Sequence, residues 1–208
     1  MTTTQLITTL GPKSADQLGM ILPHEHIFVD LRSMGTDGFA QADVADVIAL
    51  MAPEIERAKL AGVSAIVECT PVGVGRRADI LKAVSNATAF PLIVPTGIYR
   101  DPWIPMWAQE ASTEVLRDWM SHELNEEIES SGIRAAWIKL SAGDEGLTDC
   151  ETKILQASVA AARATNAVIG SDAPQRLKSR GFYRTHGYDY TYVTLYGHVL
   201  PASEESCD

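Results

Sequence analysis

The stretch GMILPHEHIFVD (19–30) joins an apolar run to two histidines, and its part 21–30 is the first of five predicted strands. The other four are VSAIVECT (63–70), PLIVPTGIY (91–99), RAAWIKLS (134–141) and NAVIGS (166–171). Short, nearly continuous apolar runs rich in Val and Ile are typical of strands that are covered on both faces of a parallel sheet. The sequence therefore predicts a buried parallel sheet.

Helical segments separate several of these strands. Apolar residues with helical periodicity occur in ADVADVIALMAPEIERAKLAG (42–62), STEVLRDWMSHELNEEIESSG (112–132) and TDCETKILQASVAAARATN (148–166). Pro53 predicts a kink or break in the first helix. The third segment opens with Thr and Glu at the spacing of a capping box. The predicted C-terminal caps are Gly62, Gly132 and Asn166.

The alternation of strands and helices predicts an α/β fold, either an open doubly wound sheet or a (β/α) barrel. Neither G-x-G-x-x-G nor G-x-x-x-x-G-K-[ST] is present, which disfavours nucleotide-binding sheets. A complete barrel has eight units in ~250 residues, whereas this chain has 208 residues. We predict one domain (1–208), with five strand–helix units in 1–171 and a shortened, irregular tail in 172–208.

Composition narrows the class of protein. The net charge of −10 disfavours binding to nucleic acid or anionic membranes. The three cysteines form no C-x-x-C pair, which favours a reducing compartment. The N-terminal region lacks the pattern of a signal peptide, and no apolar run is long enough to span a bilayer. These features predict a soluble, cytoplasmic protein.

Two histidines are the first candidates for chemistry. His24 and His26 lie two residues apart on a strand, so both imidazoles point to one face. At the carboxyl end of a barrel strand they would face the mouth, and neutral imidazoles bind transition metals well. An H-x-H pair by chance, or two surface histidines, is the alternative. The apolar lead-in favours a metal site.

Lys139 is the second candidate, because it stands within an apolar strand. A buried amine favours its neutral form, which can take up carbon dioxide and become an anionic carbamate ligand. On residue pattern alone, a strand-end lysine whose amine reaches solvent is the better interpretation. Tyr99 follows the third strand, where either a substrate contact or stacking on Pro102 or Trp103 would fit. Glu68 ends the second strand and is expected to support the site rather than bind metal.

An ordered series of motifs resembles the phosphotriesterase family of the amidohydrolase superfamily. The runs that carry the resemblance are GMILPHEH (19–26), ERAKLAGVSAIVECT (56–70), VPTGIYRDPW (94–103), GIRAAWIKLSAGDEGLT (132–148) and ETKILQASVAAARATNAVIGS (151–171). The resemblance implies an incomplete (β/α) TIM barrel of about five to six of the eight units. It also implies metal-activated water that attacks a phosphotriester or a lactone.

The resemblance assigns roles to particular residues. His24 and His26 would be metal ligands, and Lys139 would be a carbamylated, bridging ligand. The expected cofactor is a divalent transition metal, zinc first, with two ions per site in the family. Tyr99 favours the lactonase branch and a contact with a small ester or lactone substrate.

The chain also departs from the family pattern. Asp172 stands where the fifth strand of the family carries a histidine, and the aspartate of the eighth strand has no counterpart. We interpret this as internal shortening, with Asp172 as a substitute ligand if the geometry allows. The alternative function is an inactive remnant that at most binds metal or a partner. Exposed strand edges would favour a homo-oligomer.

Overall fold

The computed structural model describes residues 5–143, 146–172 and 193–196. The strands are β1 (Gln5–Leu6), β2 (Lys13–Ser14), β3 (Met20–Glu25), β4 (Val63–Glu68), β5 (Leu92–Ile93), β6 (Pro95–Thr96), β7 (Trp137–Ser141), β8 (Ile169–Asp172) and β9 (Val193–Tyr196). The helices are α1 (Val44–Leu60), α2 (Ala78–Thr88), α3 (Met106–Glu110), α4 (Thr113–Asn125) and α5 (Asp149–Thr165). A short 3₁₀ helix spans Ala15–Gln17.

Parallel pairing joins β3 to β5 and, separately, β6 to β9. The order is β3-β4-β5 in one sheet and β6-β7-β8-β9 in another. Only Val94 separates β5 from β6, so the chain passes directly from the first sheet into the second. Neighbouring strands follow sequence order, as in a barrel, and not the reversed order of a doubly wound sheet. This order confirms the predicted incomplete α/β barrel. A small antiparallel pair, β1 and β2, precedes this unit.

Two apolar layers hold the strands in place. The larger layer lies between the sheet and the helices and includes Ile66, Leu92 and Ile138. The smaller one lies on the opposite face, where Ala65, Cys69, Ile93 and Trp137 are buried together. Alternate residues of one strand therefore serve different layers, which explains the continuous apolar runs.

The tail contains a regular strand where the sequence predicts none. Backbone pairing places Val193 beside Ile169 and Tyr196 beside Asp172. The strand β9 forms because β8 offers an edge for parallel pairing, and this tertiary contact is invisible to local periodicity. The strands β5 and β6 count as one barrel strand that is interrupted at Val94. Within the described residues, the parallel strands therefore fill six positions of the barrel, which agrees with the predicted five to six units.

Two local predictions need correction, and one helix was not predicted. Helix α1 continues through Pro53, so the predicted break is absent; Pro53 lies on an exposed face, where water can replace the backbone bond that it cannot donate. Gly132 does not cap α4, which ends at Asn125; it takes a positive φ of 71° in the turn that follows. The sequence analysis also missed α2, although Ile80, Leu81 and Val84 form its buried stripe.

The remaining helix predictions are confirmed. Thr148 and Glu151 form the capping box of α5, and Asn166 ends this helix with a left-handed backbone. Gly62 follows α1 with a φ of 89°. Among the described helices, none is both long and apolar enough to cross a bilayer.

Candidate active site

The carboxyl end of β3 brings two imidazoles together. His24 is in the strand and His26 follows it, and the two ring centroids lie 5.5 Å apart in an edge-to-face arrangement. Both histidines therefore lie on one side of the strand, as their spacing predicts.

Lys139 lies inside the fold rather than at its surface. Its side chain is 0% exposed, so the interpretation in which the amine reaches solvent is wrong. The Nζ atom lies 2.6 Å from Oδ1 of Asp172 and 6.0 Å from the ring centroid of Trp137. A carboxylate partner offsets part of the cost of placing an ammonium group in a buried site.

Asp172 links the lysine to the histidines. Strand pairing aligns Lys139 with Gly170 and Ser141 with Asp172, so the last residue of β8 lies at the carboxyl end of β7. The same Oδ1 atom that contacts Lys139 lies 3.8 Å from Nδ1 of His24. Asp172 therefore lies close to both Lys139 and His24.

His24, His26, Lys139 and Asp172 are called the cluster below. Residues outside this cluster also contact His26. The Thr70 hydroxyl lies 2.8 Å from Nδ1 of His26 and donates to Oε1 of Glu68 at 2.6 Å. Partial burial and the positive charges of His24 and Lys139 lower the pKa of His26 to about 4. The His26 ring is therefore neutral at neutral pH, which is the form that binds metals.

Glu68 is fully buried at the end of β4. Its carboxylate accepts hydrogen bonds from the Thr70 hydroxyl, the Thr70 amide and the Ile27 amide. Burial raises the pKa of Glu68 to about 7, although these donors and the charge of Lys139 act in the opposite direction. The structure agrees with the predicted supporting role.

This raised pKa predicts a pH-dependent contribution to stability. In the folded protein Glu68 holds its proton up to about pH 7, whereas its ordinary value is 4.5. The favourable contribution is complete below pH 4.5 and is lost as the pH rises through 7. Compared with Glu68→Gln, the wild type should lose about 3 kcal/mol of unfolding free energy across this interval. Urea unfolding at several pH values would measure the difference, and a constant difference would contradict the prediction.

Tyr99 lies shortly after the carboxyl end of β6, in the segment called the rim below, and packs against Trp103. Its ring packs edge-to-face on Trp103 at 5.7 Å, which is the stacking contact that the sequence leaves open. Tyr99 also lines a small cleft together with Ser141 and Ser171, residues close in sequence to Lys139 and Asp172. A substrate contact stays a prediction.

The side chains brought together here include donor types that divalent transition metals prefer. Two imidazoles and one carboxylate are suitable ligands, and Lys139 lies beside them. However, within the described ranges no three His, Cys, Asp or Glu side chains come close enough to form a metal-binding group. The last described residue of β8 is an aspartate, and β9 carries no histidine. His186 and His198 lie outside the described residues.

Two further residues have structural environments and lie outside the candidate site. Cys69 is buried, and burial raises the pKa of its thiol to about 12, so it is a small apolar residue rather than a nucleophile. His122 is exposed on α4, away from the cluster. Thr70 is not among the predicted site residues, although a threonine two residues after Glu68 at a strand end was a usable signal.

The fold and the cluster define an α/β barrel protein with nitrogen and oxygen donors at the carboxyl ends of its strands. Comparison with known proteins gives the family. A model described as the phosphotriesterase family matches residues 4–202. This chain therefore belongs to the phosphotriesterase family.

Several relatives are similar over most of this chain. The phosphotriesterase homology protein of Mycobacterium tuberculosis is 27% identical over 210 residues, covering 93% of this chain and 63% of the relative. The aryldialkylphosphatase of Saccharolobus solfataricus is 30% identical over 116 residues, which are 56% of this chain and 37% of the relative. A mutant organophosphorus hydrolase from Deinococcus radiodurans superposes with a TM-score of 0.80 at 26% identity, covering 92% of this chain and 60% of that one. The chain thus spans less than two thirds of the length of these relatives.

Proposed function

We propose that this protein is a metal-dependent hydrolase that cleaves a phosphotriester or a lactone. The convergence of His24, His26, Lys139 and Asp172 at the carboxyl ends of β3, β7 and β8 carries the proposal. Barrel enzymes keep their active sites at this end of the sheet. Family membership supports the same reaction class.

Each residue of the cluster has a proposed task. His24, His26 and Asp172 would hold one divalent ion, with zinc as the first candidate. Lys139 would add a fourth, anionic ligand if its amine is carbamylated. A bound ion supplies Lewis-acid chemistry that activates water and polarises an ester oxygen. Asp172 would also be the proton acceptor for the attacking water, since its carboxylate is partly exposed at this mouth.

The lactone is the preferred substrate class. Tyr99 lies on the rim beside the cleft that includes Ser141 and Ser171. A structural relative with a TM-score of 0.80 and 25% identity, of which this chain covers 62%, is described as an organophosphate hydrolase engineered from a weak promiscuous lactonase template. Both observations support a small ester or lactone at this rim.

A second candidate is an inactive remnant, and the Lys139–Asp172 ion pair favours it. An ammonium group 2.6 Å from Asp172 already occupies the carboxylate that a metal would need. In this case the protein would bind metal weakly or bind a partner.

Hydrolysis of an aryl phosphotriester and of an acyl lactone separates the two candidates. Protein purified after growth with added zinc or manganese should hydrolyse at least one of them. Asp172→Asn should remove this activity, since the amide cannot accept a proton. The matched control is Asp118→Asn, which changes an exposed aspartate of α4. Turnover that is absent from the wild type, or equal in wild type and Asp172→Asn, would favour the remnant.

The state of Lys139 has its own expected result. A carbamate should incorporate carbon from ¹³C-bicarbonate, and Lys139→Ala should lose that labelled signal together with bound metal. Short carboxylic acids should partly restore metal binding to this variant. Lys153→Ala, which alters a lysine held by backbone carbonyls of α3 and the residue after it, should keep the signal. A wild type without labelled carbamate would mean that Lys139 is an ammonium paired with Asp172.

A further inference from the structure

The Thr70 hydroxyl is the centre of a buried hydrogen-bond group between β3 and β4. It lies 2.8 Å from Nδ1 of His26, 2.6 Å from Oε1 of Glu68 and 3.1 Å from the carbonyl oxygen of Phe28. Thr70 is 1% exposed and Glu68 is 0% exposed, so water does not compete for the contact between them, whereas His26 is exposed on its other side. The group therefore has a defined donor and acceptor arrangement.

The number of protons on the Thr70 hydroxyl decides which of its hydrogen bonds it donates and which it accepts. A hydroxyl has one proton to donate, and both Glu68 and Phe28 present oxygen acceptors to it. Glu68 also accepts from the amides of Ile27 and Thr70. Above the pKa of about 7 that burial gives it, Glu68 is a carboxylate and has no proton to donate to the hydroxyl. At pH 8 the hydroxyl proton is therefore committed to an oxygen, and toward His26 the hydroxyl can only accept. Nδ1 of His26 must then carry the proton.

We propose that Thr70 and Glu68 are positioning residues that hold His26 as the Nδ1–H tautomer. Nε2 is then left with the lone pair and is the atom available to a ligand in the mouth. A metal-binding histidine commonly donates its second N–H to an oxygen that fixes its tautomer and orientation. Glu68 anchors the hydroxyl, and the hydroxyl orients the ring.

The inference deepens the proposed function, but its first test does not need a metal. Long-range ¹⁵N–¹H spectra of the metal-free protein at pH 8 separate the two neutral tautomers by their nitrogen shifts. The His26 signals are assigned by their loss in His26→Ala. We expect wild-type His26 as the Nδ1–H tautomer, and a dominant Nε2–H tautomer would overturn the proposal. This reading needs no variant at Thr70, so it holds even if such a variant folds poorly.

Variants separate positioning from simple loss of packing. Thr70→Ser keeps the hydroxyl and should keep the tautomer, whereas Thr70→Val keeps the shape and should give a mixture. The matched control is Ser64→Ala, because the Ser64 hydroxyl also joins β4 to β3 through Met20, at the opposite end of the strands. Ser64→Ala should leave the His26 spectrum unchanged. An unchanged spectrum in folded Thr70→Val would refute the role of Thr70.

Metal binding then distinguishes this inference from the proposed function. Zinc titration should show a roughly 10- to 100-fold weaker affinity for Thr70→Val than for wild type, with Thr70→Ser within threefold of wild type. If no variant and no wild type binds zinc while the tautomer is as expected, the proposed hydrolase fails and the positioning of His26 stands. If zinc binds equally to wild type and Thr70→Val, the positioning role is refuted while the metal site survives.

Discussion

Replacing both His24 and His26 by alanine is expected to abolish bound transition metal in the purified protein. The two imidazoles are the aromatic nitrogen donors of the cluster, and their ring centroids are 5.5 Å apart. Without them, Asp172 and Lys139 remain as a charged pair at 2.6 Å, which offers little to a divalent ion. Elemental analysis after growth in metal-supplemented medium measures the result.

His122→Ala is the matched control, because His122 is exposed on α4 and outside the cluster. This variant should keep the metal content of the wild type. Equal metal content in the double variant and the wild type would show that the ions bind elsewhere. A wild type that holds no metal after supplementation would remove the basis of the proposed hydrolase.

Glu123→Ala is expected to lower the free energy of unfolding by about 3–5 kcal/mol, because it leaves a buried charge without its main partner. Glu123 accepts two hydrogen bonds from Arg76, at 2.6 and 2.7 Å, and one from Thr96 at 2.6 Å. The side chains of Arg76 and Glu123 are 1% and 2% exposed. The group ties α4 to the segment after β4 and to β6. Urea unfolding followed by circular dichroism measures the loss.

Glu129→Ala is the matched comparison, since Glu129 contacts the same guanidinium from a position that is 55% exposed. Exposed ion pairs contribute about 0–1 kcal/mol, so this variant should change stability little. Similar losses in both variants would show that burial does not set the strength of the Arg76 contacts.

Several elements could be predicted because their signals are local. The capping box of Thr148 and Glu151 and the left-handed residue Asn166 define α5 from sequence spacing alone. The strands β3, β4, β7 and β8 lie inside the predicted apolar runs or within a residue of them. Helix α2 was missed although its stripe is also local, while β9 was missed because its strand depends on pairing with β8.

The residues of the candidate site also divide into those that local sequence predicts and those that only strand pairing brings together. The H-x-H spacing of His24 and His26 placed both rings on one face, because side-chain direction alternates along a strand. The burial of Lys139 could not be read from its own strand, since a strand-end lysine and a buried lysine have the same neighbours in sequence. Only the pairing of β7 with β8 shows that its amine meets Asp172.

By itself, the sequence determined the α/β alternation, the histidine pair and the family resemblance, all of which depend on residues close together or on ordered motifs. Tertiary structure alone decided that Asp172 joins Lys139 and His24, that Thr70 links His26 to Glu68, and that Arg76 meets Glu123. The physical reason is that these contacts join distant segments, whose approach is set by strand register and helix packing. Burial then gives them their strength, because water is excluded from charges and donors that the sequence leaves far apart.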